Sequence, residues 1–289
     1  MKILTFDIED WFHILDNPST SDISDWKKYE SRLNIGLERI LQLLNENNVK
    51  ATFFILGWVA EKHPHLIKKI SELGYSIGSH SYRHQLVYNQ SRKEFCKDLD
   101  KSIFILEDIT GQKVKSYRAP GFSIKQDTIW FFEELMERGI EIDCSIFPAK
   151  RGHGGLPGFP SSKPTLIKFN EYEIFEFPIN FKNSVLGKFI FSGGGYFRVM
   201  PKAILKVLFN NSDYVMTYFH PRDFDPDQPM IEDLSFFRKF KSYYGLHSTF
   251  EKLNFVIKNN QFIDLEKATQ IMKNKSNLLE INYQDLLKT

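Results

Sequence analysis

The sequence predicts an α/β fold, a parallel sheet wrapped by helices, on two observations. Apolar strand-like runs alternate with helical repeats, and chemistry-bearing side chains recur where those strands end. Lys2 to Ile8 reads as a buried strand, and Leu33 to Leu44 carries apolar residues at helical spacing up to the polar break Asn45-Glu46-Asn47-Asn48. Ala51 to Leu56 reads as a second strand, His65 to Leu73 as a helix closed by Gly74, and Tyr75 to Gly78 as a third strand. The alternation then repeats, with a helix over Arg92 to Asp108, a short strand at Ser116 to Arg118, a helix over Thr128 to Arg138 ended by Gly139, and a strand over Glu141 to Phe147. Regular alternation of this kind favours parallel strands joined by helical crossovers. Periodicity does not separate an open sheet from a closed barrel.

Beyond that point Arg151 to Pro164 is rich in glycine and proline and reads as a long loop over the strand ends. Glu173 to Pro178 alternates like a strand, Phe191 to Arg198 reads as a glycine-rich turn, and Tyr214 to Phe219 is a further strand. Phe236 to Ile257 is an amphipathic region expected to cap the core. A single domain over residues 1–270 with a C-terminal tail at 271–289 is the simplest account. No internal repeat appears, nor an apolar run of about 20 residues that would span a bilayer.

A chain of 289 residues can bury a large core without disulfide or metal staples. Its formal net charge of +2 argues against nucleic acid as a partner. Cys96 and Cys144, the two cysteines, lie far apart in no paired motif, so a disulfide framework and a thiolate metal site are both unsupported. They read as small buried hydrophobes. The N-terminus runs straight into the first strand with no export signal ahead of it, which makes a cytoplasmic location the expectation.

Chemistry concentrates at the strand ends: Asp7, His80, Arg118, Asp143 and His220. His80 and His84 stand four residues apart, a spacing that on a helical turn would set both imidazoles on one face, able to grip one cation. Asp7, Glu9 and Asp10 crowd three carboxylates at the first strand end, where mutual repulsion calls for a compensating cation. Arg118 is placed to hold a carboxylate ionised, and His220 emerges from an apolar strand. Trp11, Tyr196 and Arg198 suit sugar binding by stacking and guanidinium hydrogen bonds, with core packing as the competing explanation. His13, His63, His65, His153 and His247 lack a motif.

The ordered series Thr5-Phe6-Asp7-Ile8-Glu9-Asp10, His80-Ser81-Tyr82-Arg83-His84, Arg118-Ala119-Pro120-Gly121 and His220-Pro221 resembles the polysaccharide deacetylases of the NodB homology group, carbohydrate esterase family 4. Asp7 to Phe12, Asp143-Cys144-Ser145-Ile146-Phe147-Pro148, Gly193 to Arg198 and Tyr243-Tyr244-Gly245-Leu246 resemble the branch associated with exopolysaccharide gene clusters. The resemblance implies a deformed (β/α)7-type barrel and one divalent metal ion, zinc first with cobalt or nickel as alternatives. His80, His84 and a carboxylate, Asp10 or Glu9, would hold that ion. It further implies Asp7 as general base, His220 as general acid, Arg118 as the residue orienting Asp7, and a backbone N–H near Gly121 for the oxyanion. Asp143 would tune His220 or line the pocket. The family's first motif has two adjacent aspartates, whereas Ile8 intervenes here, so the identity of the third ligand stays open. Strand alternation favours Glu9, on the face of Asp7, while the family's ligand type favours Asp10. The implied partner is a carbohydrate bearing N-acetyl groups. The alternatives are an amidase for a small non-sugar amide and a carbohydrate-binding protein with an inactive site.

Overall fold

The structure, a computed structural model, describes residues 1–15, 17–150, 152–184 and 187–288. In chain order the first elements are β1 (Lys2–Ile3), β2 (Thr5–Ile8), α1 (Leu33–Asn47), β3 (Thr52–Ile55), α2 (Gly57–Lys62), α3 (Pro64–Glu72), β4 (Ser76–Ser79), α4 (Arg92–Thr110), β5 (Ser116–Tyr117), α5 (Phe131–Glu137) and β6 (Ile142–Asp143). There follow β7 (Thr165–Phe169), β8 (Tyr172–Glu176), β9 (Lys182–Ser184), β10 (Gly187–Phe189), α6 (Gly194–Val199), α7 (Lys202–Asn210), β11 (Val215–Met216), α8 (Phe236–Tyr243), α9 (Thr249–Lys258), α10 (Leu265–Lys273), β12 (Leu279–Asn282) and α11 (Tyr283–Leu286). They divide into two compact units: residues 1–51 with 182–263, and residues 52–181 with 264–289.

The second unit carries a mixed sheet in the order β12-β7-β8-β6-β5-β4-β3, parallel except where β7 meets β8. β3, Thr-Phe-Phe-Ile, is buried throughout, as a strand covered on both faces requires. Register aligns the strand ends in one row: Ile55 opposite Ser79, Ser79 opposite Tyr117, Tyr117 opposite Asp143, and Asp143 opposite Glu176. His80 and Arg118 are the next residues along the chain, so parallel pairing by itself brings them to one end of the sheet. α4 is the best-defined helix of this unit, opened by a Ser91–Glu94 capping box and closed by Gly111 at φ 68.

In the first unit β1 pairs in parallel with β11, and bridges at Phe6 and Phe219 continue that pairing past the end of β11. Phe6, Phe219, Phe224 and Phe197 pack their rings together beneath the strands. α1 buries Leu33, Leu37, Ile40, Leu41 and Leu44 and ends on Asn48 in the left-handed region at φ 50. Gly36 of α1 lets that helix approach the turn after His220 so closely that a Cβ there would lie 2.0 Å from the Pro221 carbonyl oxygen.

Several expectations are corrected. α2 is too short for periodicity to reveal. β7 pairs antiparallel with β8 across a tight turn at Asn170, whose φ of 52 an asparagine tolerates. Residues 191–198 are not all turn: Gly193 opens α6. The expected loop over 151–164 holds no helix or strand among its described residues, Arg151 lying outside them. Residues 271–288 are no loose tail, because β12 extends the sheet beside β7 and α11 buries Tyr283 and Leu286; Thr289 lies outside the described residues. Of the expected capping region over Phe236 to Ile257, α8 has no buried residue, whereas α9 buries Leu253, Val256 and Ile257. Both cysteines are free, but only Cys144 is buried; the Cys96 thiol donates to Glu134, and burial pushes it up to about 11. Among the described residues no helix is long and apolar enough to cross a membrane.

Gly36→Ala is expected to lower stability by about 1–3 kcal/mol through overpacking against Pro221, measured as a reduced urea midpoint at unchanged slope.

Candidate active site

In the first unit, strand pleat sends Phe6 and Ile8 to one side and Asp7 and Glu9 to the other. His220 meets the second pair: its Nε2 lies 3.8 Å from an Asp7 oxygen and 3.4 Å from a Glu9 oxygen. The opposite ring nitrogen, Nδ1, lies 3.2 Å from Asp223, which also accepts the His220 backbone N–H at 2.9 Å. Asp223 in turn is ion-paired with Arg198, and both side chains are almost wholly buried. The guanidinium of Arg198 is completed by the carbonyls of Lys241, Ser242 and Tyr244. A histidine whose Nδ1 is fixed this way presents Nε2 as its proton-exchanging atom.

Asp10 sits apart from that chemistry. Its carboxylate accepts the backbone N–H groups of Trp11 and Arg32 and the Ser31 hydroxyl, so it pins the loop between β2 and α1. His13 supports the same loop: its Nδ1 accepts the Asp10 N–H and its ring packs on Trp26.

In the second unit, His80 and His84 do not share a helical turn. They lie in a loop after β4 whose Ser81 and His84 take φ of 64 and 55, and their ring centroids are 5.3 Å apart. Asp98 of α4 holds that loop by accepting the Tyr82 and Arg83 N–H groups at 2.6 and 3.0 Å, and Ser81 accepts that of His84. His80 Nδ1 lies 2.8 Å from the Arg118 carbonyl, which can only accept. The proton therefore sits on Nδ1, and Nε2 keeps the lone pair that a metal needs, so this imidazole is in the tautomer of a ligand. Two imidazoles joined by a carboxylate would suit zinc or a similar borderline divalent ion.

Arg118 is fully buried, its guanidinium over the Phe54 ring at 4.3 Å. Asp143 accepts from the Ser145 hydroxyl at 2.6 Å and its N–H at 3.1 Å, while Ser145 takes the Ala119 N–H, which ties β6 to the loop after β5. Asp143 also faces Glu176 across the strand pair, both carboxyls fully buried. Burial and the Asp143 charge push the Glu176 carboxyl well above the usual carboxylate range, so it is the proton-carrying partner. Asp143 is itself raised by burial. Gly121 lies in the turn after Arg118 at φ 63.

The family model described as Polysaccharide deacetylase matches residues 29–138. That stretch of the chain, less than half of it, is similar to the polysaccharide deacetylases. A model described as Domain of unknown function (DUF3473) matches residues 144–270, a stretch that includes Glu176, Arg198, His220 and Asp223. The chain is 36% identical over 97 residues to the peptidoglycan-N-acetylglucosamine deacetylase of Bacillus cereus, covering 33% of this chain and 35% of that protein. Over 112 residues it is 29% identical to the peptidoglycan deacetylase of Helicobacter pylori, covering 39% of this chain and 37% of the other. It thus spans about a third of the length of these curated relatives. A crystal structure from Mycobacterium smegmatis ascribed to the polysaccharide deacetylases matches over 96% of this chain and 92% of its own, with TM-score 0.64 and 17% identity. That likeness shows the fold to be the α/β fold of the deacetylases, as the sequence predicts.

The expected substrate residues divide. Trp11 is buried, with its indole N–H on the Glu30 carbonyl and its ring edge-on to Phe12 and Tyr29, so packing accounts for it. Arg198 is likewise withdrawn into its pair with Asp223, whereas Tyr196 is exposed beside the Lys241 ammonium. Sequence reasoning missed Asp223 and Glu176. The first had a legible signal, an acid three residues after His220, where a turn brings it back to the ring. The second had none, since only strand register sets Glu176 opposite Asp143.

Glu176 keeps its proton at pH values where an unfolded glutamate has lost it. Its contribution to stability is therefore full below about pH 4.3 and declines as pH rises toward its raised value, by up to about 1.4 kcal/mol per pH unit. Glu176→Gln keeps the donor toward Asp143 without the titration, so its urea midpoint should gain on wild type as pH rises. Glu176→Ala should cost about 3–5 kcal/mol by leaving the buried Asp143 short of a donor.

Proposed function

We propose that the protein removes N-acetyl groups from an N-acetylated sugar or polysaccharide by hydrolysis, with His80, His84 and Glu9 holding one divalent ion. The observation that carries this reading is His220, with one ring nitrogen fixed by Asp223 and the other facing Asp7 and Glu9. The deacetylase domain match supports it. Glu9, His80 and His84 each offer one donor atom and all three are buried. Glu9 is preferred over Asp10 because the Asp10 oxygens already serve Ser31, Trp11 and Arg32.

A divalent ion, zinc first, would polarise a water molecule and the amide oxygen. Asp7 accepts the proton of the attacking water. Arg118 would orient Asp7, and a backbone N–H near Gly121 would stabilise the developing oxyanion. His220 delivers a proton from Nε2 to the amide nitrogen, which is a very poor leaving group until protonated. Asp223, itself held by Arg198, fixes the tautomer and stabilises the imidazolium. Asp143 and Glu176 act through the Arg118 loop, in place of the expected action of Asp143 on His220. The acetylated polymers named for the relatives, peptidoglycans, are the first substrates to try, beside exopolysaccharide repeats.

His80→Ala, His84→Ala and Glu9→Ala should each abolish both metal retention, measured by elemental analysis, and acetate release. Full turnover by a metal-free variant would overturn the assignment. Asp10→Ala should retain the metal and lose stability by about 1–3 kcal/mol. Asp223→Asn should lower kcat by about 10²–10⁴-fold with little change in KM, by analogy with other histidines whose orienting carboxylate is removed.

A further inference from the structure

α8 reads Phe-Phe-Arg-Lys-Phe-Lys-Ser-Tyr, and it lies with its apolar face outward. Phe236 and Phe237 are 79% and 82% exposed, and Phe240 and Tyr244 are 46% and 52% exposed. At the helical repeat these four fall within an arc of about 100°, with Arg238, Lys239 and Lys241 outside it. The opposite face does the anchoring: Arg238 donates to the Leu15 carbonyl, and Arg198 holds the carbonyls at the helix end.

Neighbouring helices extend the pattern. α6 packs on α8 and exposes Tyr196 and Val199, and α7 exposes Ile204 and Val207 on the same helix as Lys202 and Lys206. No acidic residue occurs in 187–212 or in 234–250; the nearest are Asp213 just after α7, Glu232 and Asp233 on the turn before α8, and Glu251, which faces Lys202 at 3.8 Å. An aromatic stripe flanked by cations, on helices that carry no acid, is the composition that settles into the headgroup region of an anionic bilayer. Lysine stems lie along apolar surface and lift their ammonium groups to the phosphates.

We propose that α8, with the exposed faces of α6 and α7, is a docking surface for an anionic lipid bilayer, Phe236, Phe237 and Phe240 entering the interface. Arg198 joins this surface to the catalytic side of the unit, since the guanidinium that orients Asp223 also holds the end of α8.

The full chain is sedimented with vesicles of phosphatidylcholine and of phosphatidylcholine mixed with phosphatidylglycerol. Binding should favour the anionic mixture and fall when salt is raised from about 0.1 to about 1 M, which shortens the screening length from about 10 Å to about 3 Å. Phe236→Ser with Phe237→Ser, and separately Lys239→Glu with Lys241→Glu, should each weaken binding at least about tenfold. Circular dichroism melting should leave both variants native, because the replaced side chains lie on the surface; Phe237→Ser alone serves if the first pair melts early. Sedimentation with neither vesicle, or equally by wild type and variants, overturns the proposal. So does a dimer that the Phe236 and Phe237 substitutions dissociate, which would identify a second copy as the occupant. Vesicle binding is read without turnover, so its outcome is independent of the hydrolase reading.

Discussion

A carboxylate can be buried only if something compensates its charge, and that constraint organises this protein. Nine acidic side chains are buried among the described residues: Asp7, Glu9, Asp10, Asp98, Glu134, Asp143, Glu176, Asp223 and Asp225. Isolated ions in a protein interior would be destabilising by several kcal/mol each. Asp225 is met by Arg32, and Glu134 by Arg92 and Arg138. Asp98 and Asp10 are compensated by backbone N–H groups of the loops they hold in place. Asp223 has Arg198, and Asp143 with Glu176 solves the problem by keeping a proton.

Asp7 and Glu9 differ from these because the group they face is His220, itself able to gain or lose a proton. The other buried carboxylates meet permanent cations or fixed dipoles, or, in the Asp143–Glu176 pair, share a proton. On the proposed reading, this is the physical distinction between an acid that holds the fold and one that does chemistry. It also separates Glu9, which faces His220, from its neighbour Asp10, which pins a loop.

Positioning follows from the same devices. Parallel register carries His80 and Arg118 to one end of their sheet, and the Asp98 clamp sets the loop on which His84 sits. The His220 ring is held through its turn, by Asp223 from within and by the close approach of Gly36 to Pro221. Each of these is a backbone effect, so substitutions remote from the reacting groups should alter the chemistry by moving them.

Much of this was legible from residues in order. Alternating apolar runs determined the strands and helices of the α/β fold, because burial on both faces of a parallel sheet forces those patterns. The motif residues Asp7, His80, His84, Arg118 and His220 stood out because their chemistry clusters at strand ends. Tertiary structure alone decided the partners: that Glu176 lies opposite Asp143, that Arg198 serves Asp223, that Trp11 packs inside, and that α8 turns its phenylalanines outward. Sequence states which groups exist and with what period. Which of them meet depends on strand register and helix docking, set by contacts between residues far apart along the chain.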